Sequence, residues 1–232
     1  MRLDKYLAQS TGFSRKEVKR MLHAEEVRVN GELEKNPARK VTEEDDVLLD
    51  GYEIEAPRDR YIMLNKPVGY VCSHDEGDHA SVLGLIELPR VDNLTIAGRL
   101  DVDTTGMVLL SDDGQWCHRI TSPRHKLGKI YEATLADPID ESYIEMFERG
   151  IQLNGEKELT KPAKLEILAE QTARVELFEG RYHQVKRMFA ALGNKVEALH
   201  REAIGPITLD DDLYEGEWRE LTEEEVASIF NG

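Results

Sequence analysis

Seven short runs of strand-forming residues, unevenly separated by helical segments, constrain this chain more than any other feature. They are YIMLN (61–65), YVCS (70–73), GMVLLS (106–111), KIYEATLA (129–136), AKLEILA (163–169), TARVELFE (172–179) and KVEALH (195–200). Helical patterning occurs among them only at 140–149, opened by Asp140 and stopped by Gly150, and at 184–192, stopped by Gly193. A last helix starts at Thr222, where Glu225 completes a capping box. A parallel α/β sheet needs a helical crossover between successive strands, and these runs do not supply one. The pattern predicts an α+β fold built on a mixed or antiparallel sheet with flanking helices.

The first 50 residues read as a separate small α/β module. Ser14 and Glu17 form a capping box before KEVKRMLHAEE, and Val18, Met21 and Leu22 give that helix one apolar face. VRVNGEL alternates around Asn30-Gly31, the signature of a type I′ hairpin, and DVLLDG supplies a further strand. GYEIEAPRDR (51–60) is polar, contains Pro57 and reads as a linker. The expected division is 1–55 and 60–232.

A chain of 232 residues with 40% apolar content can bury a core without covalent staples. Its two cysteines, Cys72 and Cys117, are too far apart for a zinc knuckle and too few for a disulfide framework. No apolar run reaches the roughly 20 residues of a membrane span, and MRLDKYLAQS lacks a secretory core, so a cytoplasmic protein without a membrane partner is expected.

The net charge of −16 opposes nucleic-acid binding as a whole, but it is unevenly spread. Residues 1–40 carry ten basic and six acidic residues; 115–131 carry Arg119, Arg124, Lys126 and Lys129 with no acid; 180–201 carry five basic residues against Glu197 alone. Three cationic islands in an acidic chain are consistent with a focused polyanion track and also with ordinary surface charge.

AGRLDVDTTGMVLLSDDG (97–114) packs polar and charged residues between apolar runs, so a loop interrupts a sheet there. Loops braced by strands commonly carry catalytic groups, and Gly98 and Gly106 allow tight turns. Arg99, Asp101 and Asp103 cluster in this loop. From the residues alone, such a cluster is more often a structural ion-pair turn than an active site.

GRLDVDTTG (98–106) resembles the catalytic motif of the RsuA-type ribosomal RNA pseudouridine synthases at nine consecutive positions. LNKPVGYVCS (64–73), KIYEATL (129–135) and EGRYHQVKRMFAALGNKVEALHR (179–201) resemble that family's other motifs in the same order. Residues 1–50 resemble the S4 RNA-binding module, with Arg15, Lys16, Lys19 and Arg20 on its second helix. The resemblance therefore spans nearly the whole chain.

It implies a pseudouridine synthase fold and a cofactor-free isomerase of uridine in ribosomal RNA. It makes Asp101 the catalytic carboxylate and Tyr131 the ring that stacks on the extruded uracil. Lys186 becomes the cation paired with Asp101, at a position where related families often carry arginine, with Arg187 as the fallback. Arg99 would fill the gap in the RNA, Leu199 would pack under the base, and His183 and Gln184 would bond RNA or brace the helix start. Lys66 and Pro67 look like a structural turn beside the site. Asp103, Thr104 and Thr105 would hold the loop by local hydrogen bonds. The HQVKRM form of the last motif and the chain length favour a uridine in 16S over large-subunit rRNA. The partner is then ribosomal RNA, free or in an assembling small subunit, and the protein a monomer.

Two other readings fit parts of the sequence. Asp101-Val102-Asp103-Thr104-Thr105 matches the D-x-D-x-T pattern of Mg²⁺-dependent phosphatases, which should directly follow a strand of a parallel sheet. A non-catalytic RNA-binding protein would use the S4-like module with an inactive second domain.

Overall fold

The computed structural model describes residues 1–75, 77–122, 124–125 and 127–231. The chain forms two compact units: Met1–Asp59 with Glu87–Asn93, and Arg60–Ile86 with Leu94–Gly232. Lys126, one of the cationic residues noted above, lies outside the described residues.

The first unit opens with helices α1 (Leu3–Thr11) and α2 (Arg15–His23), followed by strands β1 (Val27–Val29), β2 (Glu32–Leu33), β3 (Val47–Leu49) and β4 (Tyr52–Glu53). The strands pair antiparallel in the order β2-β1-β3-β4. Ser14 and Glu17 make the reciprocal capping-box bonds that start α2. Asn30 and Gly31 take φ of 54° and 80°, as a type I′ turn between β1 and β2 requires. Asp50 and Gly51 repeat that geometry at 51° and 82° and turn β3 into β4. Tyr52 and Glu53 are therefore sheet residues, and Ile54 packs on the core of the unit, so the stretch read as linker begins inside the fold. Leu3, Leu7, Val18, Leu22, Val27 and Val29 are fully buried there.

The second unit contains β5 (Tyr61–Lys66), β6 (Thr95–Ala97), β7 (Thr105–Ser111), α3 (Gly114–Thr121), β8 (Lys129–Leu135) and α4 (Ser142–Arg149). These are followed by β9 (Lys164–Ala169), β10 (Thr172–Leu177), α5 (Gln184–Ala191), β11 (Val196–Ile204), β12 (Ile207–Thr208), β13 (Trp218–Glu220) and α6 (Glu223–Ser228). Nine strands form one mixed sheet in the order β13-β5-β7-β11-β8-β10-β9, with β12 on β11 and β6 on β7. All its pairs are antiparallel except β7 with β11. The fold is thus α+β, as the irregular strand spacing predicts.

Residues 70–73, expected as a strand, are not one. Gly69 turns the chain at φ 92°, and Val71 makes only an isolated bridge to Ser81. Cys72 is buried there without pairing in the sheet, and its sulfur accepts the Leu100 amide at 3.4 Å.

The parallel junction matters most for function, because it seats the 98–104 loop beside β8 and β11. Gly106 lies opposite Arg201 at φ 102°. A Cβ at Gly106 would collide with the Arg201 backbone, so only glycine lets β7 approach β11 this closely. Among the described residues, no helix is long and apolar enough to cross a membrane.

Candidate active site

Asp101 sits on the loop joining β6 to β7, two strands that pair antiparallel with each other. The D-x-D-x-T phosphatase reading needs a parallel strand leading into the aspartate, and this topology does not provide it.

Two buried cations clamp this loop from either side. The Lys66 ammonium, at the end of β5, is fully buried and donates to three carbonyls: Thr104 at 2.7 Å, Pro67 at 2.9 Å and Val102 at 3.3 Å. Burial pushes its pKa below the ordinary lysine value, with the nearby Cys72, Asp103 and Asp101 opposing that fall. Arg201 on β11 is only 1% exposed. Its Nε donates to the Met107 carbonyl at 2.8 Å, and its terminal nitrogens donate to the carbonyls of Gly98 and Arg99. Every group it bonds is neutral, so its buried charge is compensated by converging dipoles and not by a carboxylate.

Arg201 also joins the loop to Tyr131. These residues are register partners across β11 and β8, and Nη1 donates to the Tyr131 hydroxyl at 3.4 Å. The guanidinium carbon lies 5.8 Å from the Tyr131 ring centroid, within cation–π range. Leu199, buried to 7% exposure, precedes Arg201 by two positions on the same strand and pairs with Ala133. Two-residue spacing places both side chains on one face of the sheet.

Asp101 itself keeps about 30% of its side chain exposed. Its Oδ2 accepts from Lys186 Nζ at 3.1 Å, and its Oδ1 lies 3.4 Å from His183 Nε2. Lys186, one turn into α5, also donates to Asp103 at 2.6 Å. Burial pulls the Lys186 ammonium down, but its bonds to Asp103 and Asp101 outweigh this and raise it above the ordinary lysine value. The Lys186 bond holds the Asp103 carboxyl below its ordinary range, against the opposing effect of burial. His183 begins α5 at φ 49°, an uncommon conformation for a non-glycine residue. Lys129, half-buried two residues before Tyr131, is lowered to about 8 by burial and then by the charge of Arg201.

The structure thus brings Asp101, Lys186 and His183 into contact, and links Tyr131 to their loop through Arg201. Other expected residues go elsewhere. Arg187 donates to Glu156 and to the carbonyls of Tyr182 and Asn154, so it does not stand in for Lys186 at Asp101. The guanidinium of Arg99 is exposed and has no ion pair with Asp103, whose carboxylate is taken by Lys186. Arg15 is drawn onto the buried Asp4 at 2.7 Å, whereas Lys16, Lys19 and Arg20 are exposed on α2. The loop's own hydroxyls do little of the bracing expected of them. Among the described residues the Thr104 hydroxyl has no partner, and Thr105 bonds His200 at 2.8 Å. The cationic island at 180–201 is largely neutralised internally, since Arg181 pairs with Glu156 and Glu179, Lys195 with Glu197, and Arg201 is buried.

Sequence reasoning did not single out Arg201 or foresee the depth of Lys66. For Lys66 the usable signal was a basic residue closing the largely apolar run YIMLNK; Arg201 sits among Glu197, His200 and Glu202 in VEALHREAI and carried no such signal. A concavity of about 510 Å³ lies away from Asp101, lined by Asn65, Ile130, Arg174, His200, Glu202 and Asp210 among others. Asp101 does not line that concavity, and its carboxylate is part-exposed to solvent. Among the described residues, no three His, Cys, Asp or Glu side chains converge as a metal site requires.

Comparison with known proteins bears on this geometry. A family model described as RNA pseudouridylate synthase matches residues 60–191, and an S4 domain model matches residues 1–47. A Vibrio parahaemolyticus protein named ribosomal small subunit pseudouridine synthase A is 54% identical over 233 residues, covering 100% of both chains. The protein of that name from Escherichia coli K12 is 54% identical over 230 residues, covering 99% of this chain and 100% of its own. A crystal structure described as pseudouridylate synthase superposes with a TM-score of 0.72 at 48% identity, covering 99% of each chain.

Proposed function

Because this chain belongs to the RNA pseudouridylate synthase family, we propose that it converts one uridine of small-subunit ribosomal RNA to pseudouridine, with Asp101 as the catalytic carboxylate and without a metal or organic cofactor. The reaction breaks the C1′–N1 bond, turns the uracil and joins C1′ to C5. The C5 proton is lost and N1 gains one, so the product is an isomer and no redox partner is consumed. A single carboxylate meets this demand, by attack on C1′ or by removal of the C2′ proton. The target nucleotide must leave its stack to reach that carboxylate.

One observation carries this reading: a part-exposed Asp101, bonded to Lys186, on a loop that Arg201 ties to Tyr131. Lys186 keeps a positive charge beside the carboxylate. Tyr131 offers an aromatic face to the uracil and a hydroxyl that can relay the C5 proton. Leu199 supplies apolar surface under the base, and Arg99, exposed and with no ion pair among the described residues, is available to fill the vacated stack. His183 contacts Asp101 and can bond the RNA. Lys16, Lys19 and Arg20 of the S4 unit contact phosphates. The small-subunit assignment rests on the names of relatives that match along their full length.

Mapping pseudouridines in ribosomal RNA from cells lacking the gene tests this directly. One small-subunit pseudouridine should vanish and return when the gene is restored. An unchanged small-subunit map, or loss of a large-subunit site instead, would refute the assignment.

A further inference from the structure

We propose that Tyr182 and His183 form a stacking platform for the base next to the target uridine, an inference that rests on the function proposed above. The two rings stack at 3.8 Å between centroids with their planes 20° apart. Tyr182 is 76% exposed, so one face of its ring is covered by His183 and the other is open. His183 Nε2 lies 3.4 Å from Asp101 Oδ1, so the stack begins at the carboxylate and runs outward from it.

A ring this exposed buries too little surface to earn its place through fold stability. Its backbone is nevertheless held firmly. The Tyr182 carbonyl accepts from Arg187 at 3.1 Å, the Arg181 amide donates to the Gln184 side chain at 2.9 Å, and Arg181 donates to the carbonyls of Glu158 and Leu159 at 3.0 and 2.6 Å. His183 is held in the left-handed region that aims its ring at both Tyr182 and Asp101. Non-glycine residues pay for that conformation, and it persists where the surroundings enforce it. A rigid, pre-stacked aromatic pair loses little freedom when a third ring joins it.

The third ring has an obvious source. A uridine presented to Asp101 is part of a polymer, so its neighbours pass close to the part-exposed carboxylate and to the exposed Tyr182 ring stacked on His183. A purine or pyrimidine on the outer face of Tyr182 would extend the column and hold the strand while the uridine is extruded. The platform thus acts in binding, and its selectivity falls on the flanking nucleotide.

The test uses a synthetic small-subunit rRNA fragment carrying 5-tritiated uridine at the mapped site, and two further fragments made abasic on its 5′ or 3′ side. On the intact fragment, Tyr182→Ala should raise KM about 5- to 150-fold, the range for removing one base–aromatic stack, while kcat holds. Tyr182→Phe should behave as wild type. On the fragment lacking the stacked neighbour, wild type and Tyr182→Ala should coincide. The proposal is overturned if Tyr182→Ala leaves KM unchanged, if it lowers kcat alone, or if its effect is the same on all three fragments. Fluorescence anisotropy on the same fragments separates the two claims. Wild-type protein that releases no tritium from the intact fragment refutes the proposed function, and the binding comparison still decides the platform.

Discussion

Lys186 is pulled in two directions: burial favours loss of its proton, and the carboxylates of Asp103 and Asp101 favour keeping it. The bonds prevail, so the side chain stays a cation in contact with the proposed nucleophile or base. Lys186→Met should then lower kcat by roughly 100-fold with little change in RNA binding, and Lys186→Arg should recover much of the loss. Single-turnover rates beside equilibrium binding check this; a Lys186→Met protein with normal turnover would remove the cation from the mechanism. Asp101, Tyr131 and Lys186 were legible in the sequence because each falls in a recognisable motif. Arg201 was not, because a buried arginine looks like any other until its partners are known. Its five-donor fork suits the several carbonyls it grips in a way an ammonium does not match.

At the level of elements, the sequence announces what local chemistry controls. The Asn30-Gly31 hairpin and the capping boxes at Ser14 and Thr222 form as their residues require. The Asp50-Gly51 turn carried the same signal and was overlooked. α3 was missed because GQWCHRIT has weak helical propensity. It is held by Asp113, which accepts the Gln115 and Trp116 amides at 2.9 and 3.2 Å, and by burial of Trp116. β6 and β13 are three-residue strands that exist only as neighbours of β7 and β5. α1 depends on an electrostatic anchor. Asp4 is fully buried and bonded by Arg2 and Arg15, and the Arg2 bond foremost lowers its carboxyl from 3.8 to about 2. Above about pH 4 the carboxylate is ionised in both folded and unfolded chains, and the pair contributes in full. As the pH falls toward 2 the unfolded chain takes up its proton first and the contribution is lost. Asp4→Asn should therefore cost about 2 kcal/mol near pH 7, with the gap to wild type closing at acid pH. Urea denaturation of both proteins across that range measures it; a gap that did not change with pH would contradict the ion-pair account.

For the molecule as a whole, a net charge of −16 leaves the cationic surface scarce, and the structure makes it scarcer by burying or pairing most basic residues near α5. Exposed Lys16, Lys19 and Arg20 in the S4 unit are then the main candidates for phosphate contact. Replacing all three by glutamine should reduce the slope of log affinity for ribosomal RNA against log salt by roughly 2 to 3, and an unchanged slope would place the contact elsewhere. The elements of the first unit were readable because helix, hairpin and strand signals are local, but Glu87–Asn93, expected within 60–232, groups with Met1–Asp59, a long-range grouping that no local signal announces. The sheet order was not, since β7 and β11 pair across some 90 residues through a contact that only Gly106 permits. The account's central claim is that the Asp101 carboxylate performs the chemistry on a loop held in place by other groups. Asp101→Asn keeps the shape of that side chain and removes its charge, so tritium release from 5-tritiated uridine in small-subunit ribosomal RNA is the measurement that decides. The account predicts no release by a protein that still folds and binds the RNA, and release at the wild-type rate would contradict it.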